Sequence, residues 1–311
     1  MSELHRASGN RRLGLLLALA TMLLWGTLPI SLKFALVSLD PYTLTWFRFA
    51  FAAVVLGVWL GARGELAALR SQPLRIWGLL LLAGAMLIGN YVFYLLGLTL
   101  TTPANAQLLI QAAPLLLALG AIAVFGERYN RWQWLGLALT VVGLLMFFSE
   151  QLSRVEVGAS QYRYGAAWIL LGALVWAIYG LAQKQLLLRL RSPVVLWVIY
   201  VFAVIALAPW ARLDAFSALQ LGAWIAVLYC ALNTLAAYGA FAEALEHMEA
   251  SRVSAILALS PLMTYLSSLL AHQFIPDIIH LESIAAVGAI GGALVIGGAM
   301  LTSLARKSNP R

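Results

Sequence analysis

Apolar stretches of about twenty residues follow one another along almost the whole chain, and that succession constrains its fold more than any other feature. A helix rises about 1.5 Å per residue, so each stretch can cross a hydrocarbon core of about 30 Å. Broken at charges and at Pro and Gly clusters, the sequence yields ten spans: 13–37, 42–62, 76–98, 104–125, 132–148, 166–189, 193–211, 219–245, 250–273 and 282–304. Hydrophobic residues make up 63% of the chain and charged residues 10%, with a mean hydropathy of +0.90, which excludes an ordinary soluble domain. The chain is read as an all-α membrane protein. Its first run follows Arg6, Arg11 and Arg12, as a signal peptide would. Leu13 to Val37 is too long for that and carries Pro29 and Lys33, so it is taken as a retained span.

Charge gives the orientation. With the N-terminus in the cytoplasm, fourteen Lys and Arg residues fall on the cytoplasmic side and only Arg154, Arg163 and Arg212 on the other. The positive-inside rule then puts both termini in the cytoplasm. The formal charge of +8 belongs to this asymmetry: the basic residues lie scattered in short loops and form no footprint for nucleic acid. Cys230 is the sole cysteine, and His5, His247, His272 and His280 show no ligand spacing, so neither a metal nor a cofactor is expected. The expected partners are the lipid bilayer and a small-molecule solute.

The chain also repeats itself. Trp25-Gly26 with Pro29 and Lys33 returns as Trp176-Ala177 with Gly180 and Lys184, 151 positions later. Tyr91, Tyr94, Gly97, Leu98, Leu109 and Pro114 match Tyr238, Phe241, Ala244, Leu245, Ile256 and Pro261 at an offset of 147. The longest connection, polar and running from Ser149 to Gly165, separates two sets of five spans. Five is odd, so the second set enters the membrane upside down. Inverted repeats of this kind mark alternating-access secondary transporters, which bind substrate near the midplane at the repeat interface. The expected organisation is a cytoplasmic tail at 1–12, a first five-helix repeat at 13–148, a periplasmic linker at 149–165, a second, inverted repeat at 166–304 and a cytoplasmic tail at 305–311.

The order and spacing of these motifs resemble the EamA family of the drug/metabolite transporter superfamily over roughly residues 13–304. In the first half the resemblance rests on Trp25-Gly26 with Lys33, Pro41 with Trp46-Phe47-Arg48, Tyr91 to Leu98, Ala104 to Leu115, Gly126-Glu127, and Trp132 to Gly143. In the second it rests on Trp176-Ala177 with Lys184, Ala244-Leu245, Ala255 to Leu262, and the glycines from Gly288 to Gly298. The resemblance implies ten helices in two inverted repeats and export of small metabolites, often amino acids, across the bacterial inner membrane. Two positions depart from it. His272-Gln273-Phe274 stands where a second Gly-Glu would close span nine, and the counterpart of Arg48 falls near Tyr200.

Several side chains are candidates for transport chemistry. Trp25 and the i, i+3 pairs Tyr91/Tyr94, Trp176/Tyr179 and Tyr238/Phe241 put aromatics near the middle of spans, as a central cavity wall or as ordinary packing. Asn90, Gln107, Gln111 and Asn233 supply amides suited either to a zwitterion or to interhelical bonds. Lys33 and Lys184 stand at opposite ends of their copies. They hold an anionic group at a gate, or they snorkel. Arg48 lies close to Lys33 in depth, with helix-end carbonyls or Asp40 as structural partners. Glu243 is either a partner of Lys184 that titrates in proton coupling or an interfacial acid continuing into Glu246 and Glu249. Pro29, Pro114 and Pro261 mark kinks, and the glycines of span ten mark packing or a homodimer contact.

The leading expectation is an exporter of amino acids or related amphipathic solutes, working by alternating access through an aromatic-lined cavity. A facilitator of nucleosides or drug-like metabolites is the alternative within transport, and a non-transporting scaffold or scramblase the alternative outside it. No nucleotide-binding loop or hydrolase motif is present in the sequence, so neither ATP-driven transport nor an intramembrane enzyme is favoured.

Overall fold

A computed structural model of the chain describes residues 10–126, 128–154, 159–247, 250–281 and 285–305. Most of both tails, Glu127 of the Gly126-Glu127 motif, linker residues 155–158 and Glu249 lie outside these, as do the side chains of Leu245, Glu246 and Arg252. The described chain forms twelve α-helices: α1 (Arg11–Ala35), α2 (Pro41–Ala62), α3 (Leu74–Thr99), α4 (Pro103–Leu109), α5 (Ala112–Phe125), α6 (Arg131–Arg154), α7 (Ala159–Leu186), α8 (Ser192–Leu207), α9 (Leu221–His247), α10 (Ala250–Leu257), α11 (Ser260–Phe274) and α12 (Ala286–Leu304). Ten segments are long and apolar enough to span a bilayer, with α4–α5 and α10–α11 each making one.

Local chemistry sets the helix ends. Asp40 caps α2, accepting from the Tyr42 and Thr43 amides at 2.9 and 3.0 Å, while Pro41 fills the first turn, where no amide is needed. Thr102 and Pro103 begin α4 in the same way. Gly126 ends α5 at φ +64°, a left-handed cap.

Spans four and nine are broken, where the sequence suggested kinks. A proline lacks the amide that would bond the carbonyl four residues back, and its ring crowds that carbonyl. For Pro114 and Pro261 those residues are Ile110 and Leu257, and the helices part there, between Leu109 and Ala112 and between Leu257 and Ser260. Pro29 leaves α1 continuous. The linker also differs from expectation: α6 continues to Arg154 and α7 begins at Ala159, so helix occupies most of the polar connection. Hydropathy locates the bilayer, not the end of a helix that projects beyond it.

The main helix pairs join the two halves of the chain: α1 with α9, α3 with α7, α2 with α8, and α6 with α12. The α6–α12 seam is the tightest. A Cβ on Gly143 would come within 2.5 Å of the Gly291 carbonyl oxygen, and one on Gly298 within 2.5 Å of the Gly136 oxygen, so only hydrogen fits between the backbones. At one end of the seam, buried Glu150 accepts from the Ala285 amide at 2.6 Å and from the Gly288 amide, which places a carboxylate at the start of α12.

Candidate functional site

The centre of the bundle gathers side chains from α1, α2, α3, α7, α8 and α9. Trp25 of α1 meets Tyr238 edge-on with centroids 5.6 Å apart and Phe241 at 5.8 Å. Tyr238 and Phe241 share a face of α9 through their i, i+3 spacing. Phe49 of α2 bridges Tyr91 of α3 at 4.5 Å and Tyr200 of α8 at 5.4 Å. Tyr91, Tyr179 and Tyr200 belong to one buried core, against which Trp176 packs. The Tyr91 hydroxyl lies beside Thr234 and Tyr238, joining the two aromatic groups.

Arg48 sits inside this cluster, only 4% exposed. Its Nε donates to the Thr234 hydroxyl at 3.2 Å, and its guanidinium carbon stands 4.6 Å from the centre of the Tyr91 ring. Thr234 is oriented by donating its own hydroxyl to the Cys230 carbonyl at 2.9 Å, which leaves a lone pair for the arginine. The expected partner Asp40 is committed instead to capping α2 and takes a further bond from Thr43. Arg48 lies about 10 Å beyond the start of α2 by helix rise, too deep for the helix-end carbonyls.

The amides are engaged locally. Asn90 donates to the Gly172 carbonyl of α7 at 3.0 Å, and Asn233 to the Leu24 carbonyl of α1 at 2.8 Å. Gln107 receives the Tyr94 hydroxyl at 3.4 Å. Gln111 stands at the break between α4 and α5, half-buried.

The remaining charged candidates lie away from this centre. Lys33 donates to the carbonyls of Leu98, Thr99 and Thr101 at 2.7, 3.2 and 2.8 Å, tying α1 to the end of α3. Those carbonyls lack intrahelical donors, so a lysine from a neighbouring helix acts as their cap. Lys184 is exposed and places its ammonium 4.2 Å from the centre of the Phe125 ring at the end of α5. Glu243 is also exposed and lies 3.3 Å from His247, one turn on, rather than pairing with Lys184.

Thr234, Tyr200 and Phe49 were not singled out from sequence. Thr234 precedes Tyr238 by one turn and so shares its face, and Tyr200 lies near the position expected to match Arg48 in the second half; these signals were present. A separate recess of about 440 Å³ lies between α2, α3 and α8, with apolar walls that include Ile88, Val92, Phe202 and Trp210. None of the sequence-predicted site residues lines it.

Ten membrane-crossing segments around an aromatic and cationic centre fit a membrane transporter, and comparison with known proteins agrees. The chain belongs to the EamA-like transporter family, whose model matches residues 12–149 and 163–303. It is 34% identical over 296 residues to YhbE, an inner membrane transporter of Escherichia coli (strain K12), covering 95% of this chain and 92% of that one. A more distant relative, the aromatic amino acid exporter YddG of Ancylobacter novellus, is 26% identical over 179 residues, covering 57% of this chain and 60% of that one. A crystal structure of a protein 23% identical has the same fold, with a TM-score of 0.61 over 94% of this chain and 98% of that one. The protein is thus a multi-pass inner membrane transporter of the EamA type.

Proposed function

We propose that this transporter exports small amphipathic metabolites, amino acids or related solutes, by alternating access at a site between two inverted five-helix repeats, 13–148 and 166–304. Both termini face the cytoplasm in this reading, and the 149–165 connection faces the periplasm. Trp25, Tyr91, Tyr94, Gln107, Gln111, Trp176, Tyr179, Tyr238 and Phe241 form the solute's surroundings. Lys33 acts as a tie between helix ends, and Lys184 and Glu243 stand at the opposite mouth.

The observation that carries this proposal is the meeting of Trp25, Tyr238 and Phe241 with Tyr91 and Arg48 at the centre, drawn from both halves of the chain. The packing supports the repeat. Exchanging each span with its counterpart five spans on turns the α1–α9 pair into the α7–α3 pair and leaves α2–α8 and α6–α12 as they are. Trp46 and Trp197, 151 positions apart, reach across reciprocally: Trp46 donates to Val204 of α8 at 3.1 Å and Trp197 to Ala53 of α2 at 3.2 Å. Broken spans four and nine fit the discontinuous helices that line midplane sites in inverted-repeat transporters. The name of the Ancylobacter relative favours aromatic amino acids among the solutes.

Among the described residues no carboxylate enters the central cluster, which favours exchange without proton coupling over an antiport driven by Glu243. Counterflow of labelled amino acids and nucleosides in proteoliposomes, with and without a pH gradient, separates these readings. Saturable amino-acid exchange independent of the gradient is expected. Nucleoside exchange alone would move the assignment to the facilitator alternative, and no exchange of any solute by folded protein would refute transport of this class.

A further inference from the structure

Arg48 is buried and charged, and its charge is incompletely answered. A guanidinium carries five N–H donors in a planar fork. Among the described residues one of them, on Nε, meets the neutral hydroxyl of Thr234, and the Tyr91 ring covers one face. No hydrogen bond or ion pair of the two terminal nitrogens occurs among the described residues. The described carboxylates with partners are committed elsewhere: Asp40 to the α2 cap, Glu65 to Arg191 at 2.7 Å, Glu150 to the start of α12 and Glu243 to His247. A buried cation without a counter-charge is costly, and a planar fork with free parallel donors matches a carboxylate bidentately.

The surroundings favour a particular ligand. Tyr91, Phe49 and Tyr200 on one side, and Tyr238 leading to Trp25 and Phe241 on the other, offer apolar faces beside the charge. No acid is placed there among the described residues to receive an ammonium. Building on the transport reading above, we propose that Arg48 is the anion anchor of the central site and that the site selects small aromatic or apolar carboxylates by the carboxylate. An amino group is tolerated and not required. An amino acid and its 2-oxo acid are therefore both ligands, whereas an amino-acid amide or a decarboxylated amine is not.

A series sharing one ring tests this on the full-length protein in proteoliposomes: phenylalanine, phenylpyruvate, phenylalaninamide and phenethylamine compete against labelled phenylalanine counterflow. The same four compounds are scored by thermal shift in detergent, which reads binding even where no transport occurs. The two carboxylates should compete and stabilise about ten- to a hundredfold more effectively than the amide and the amine, as for charge-assisted hydrogen bonds. Arg48→Met should bring this ratio close to one while the protein stays folded, and Arg48→Lys, which keeps charge without the fork, should restore part of it. Equal potency of all four compounds in wild type would overturn the proposal, whatever the variants do. So would a carboxylate preference retained by folded Arg48→Met. A chloride ion held permanently on Arg48 would make the series indifferent to the carboxylate, which is the same refuting result. Failure of phenylalanine to exchange, with carboxylate-selective binding intact, would count against the transport reading and leave the anchor standing.

Discussion

Lys33 and Arg48 are two basic residues in consecutive spans of the first half, and the protein treats them in opposite ways. The Lys33 ammonium has three backbone carbonyls from the end of α3 and the turn after it, all within 3.2 Å. Those oxygens would otherwise be orphaned, so cation and helix end satisfy one another. Arg48, deeper and 4% exposed, has one hydroxyl and one aromatic face. A residue whose polar demands are met inside the protein contributes to stability; on the proposal above, Arg48, whose demands are left open, is held for a ligand. An intramembrane charge alone therefore does not mark a functional site, but the state of its partners can.

Removing each cation should give opposite results. Arg48→Met is expected to lower carboxylate-dependent exchange about ten- to a hundredfold, with a melting temperature equal to or above wild type, because an uncompensated buried charge is relieved. Lys33→Met is expected to cost about 2 kcal/mol of stability, measured by thermal unfolding in detergent, and to leave the preference for carboxylates unchanged. If Arg48→Met proved the less stable of the two, the comparison would fail.

The α6–α12 seam extends the contrast to a region with no cationic site. Gly143→Val should destabilise by about 1–3 kcal/mol through overpacking, since its Cβ would enter the Gly291 backbone, and should slow exchange only in proportion to the folded protein lost. Glu150→Gln should destabilise by about 1 kcal/mol, the smallest loss among the three destabilising variants, by removing charge from the start of α12. Unfolding followed at several denaturant concentrations ranks the four variants.

The succession of spans was legible because apolar length alone decides membrane crossing; Trp25/Trp176 and Pro114/Pro261, at nearly constant offsets, are what the proposed repeat rests on in the sequence. Whether proline bends or breaks a span was not legible: Pro29, Pro114 and Pro261 each sit within an apolar run, yet only the last two stand beside an interrupted helix. The ends of α6 and α7 were not legible, because hydropathy stops at the apolar run whereas the helices continue past it to Arg154 and from Ala159. Arg48 was visible as a charge, but its partner Thr234 lies 186 residues away on α9. Asp40 was the nearer acid in sequence, and the adjacent helix start had a stronger claim on it.

On the transport reading proposed above, the aromatic and cationic centre is reached from each side of the membrane in turn. A single cysteine at that centre, Tyr238→Cys in a Cys230→Ser background, tests it in right-side-out and inside-out vesicles with an impermeant maleimide. Labelling in both preparations, suppressed in both by a carboxylate-bearing solute, is the predicted result. Labelling from one side only, indifferent to solute, would contradict it.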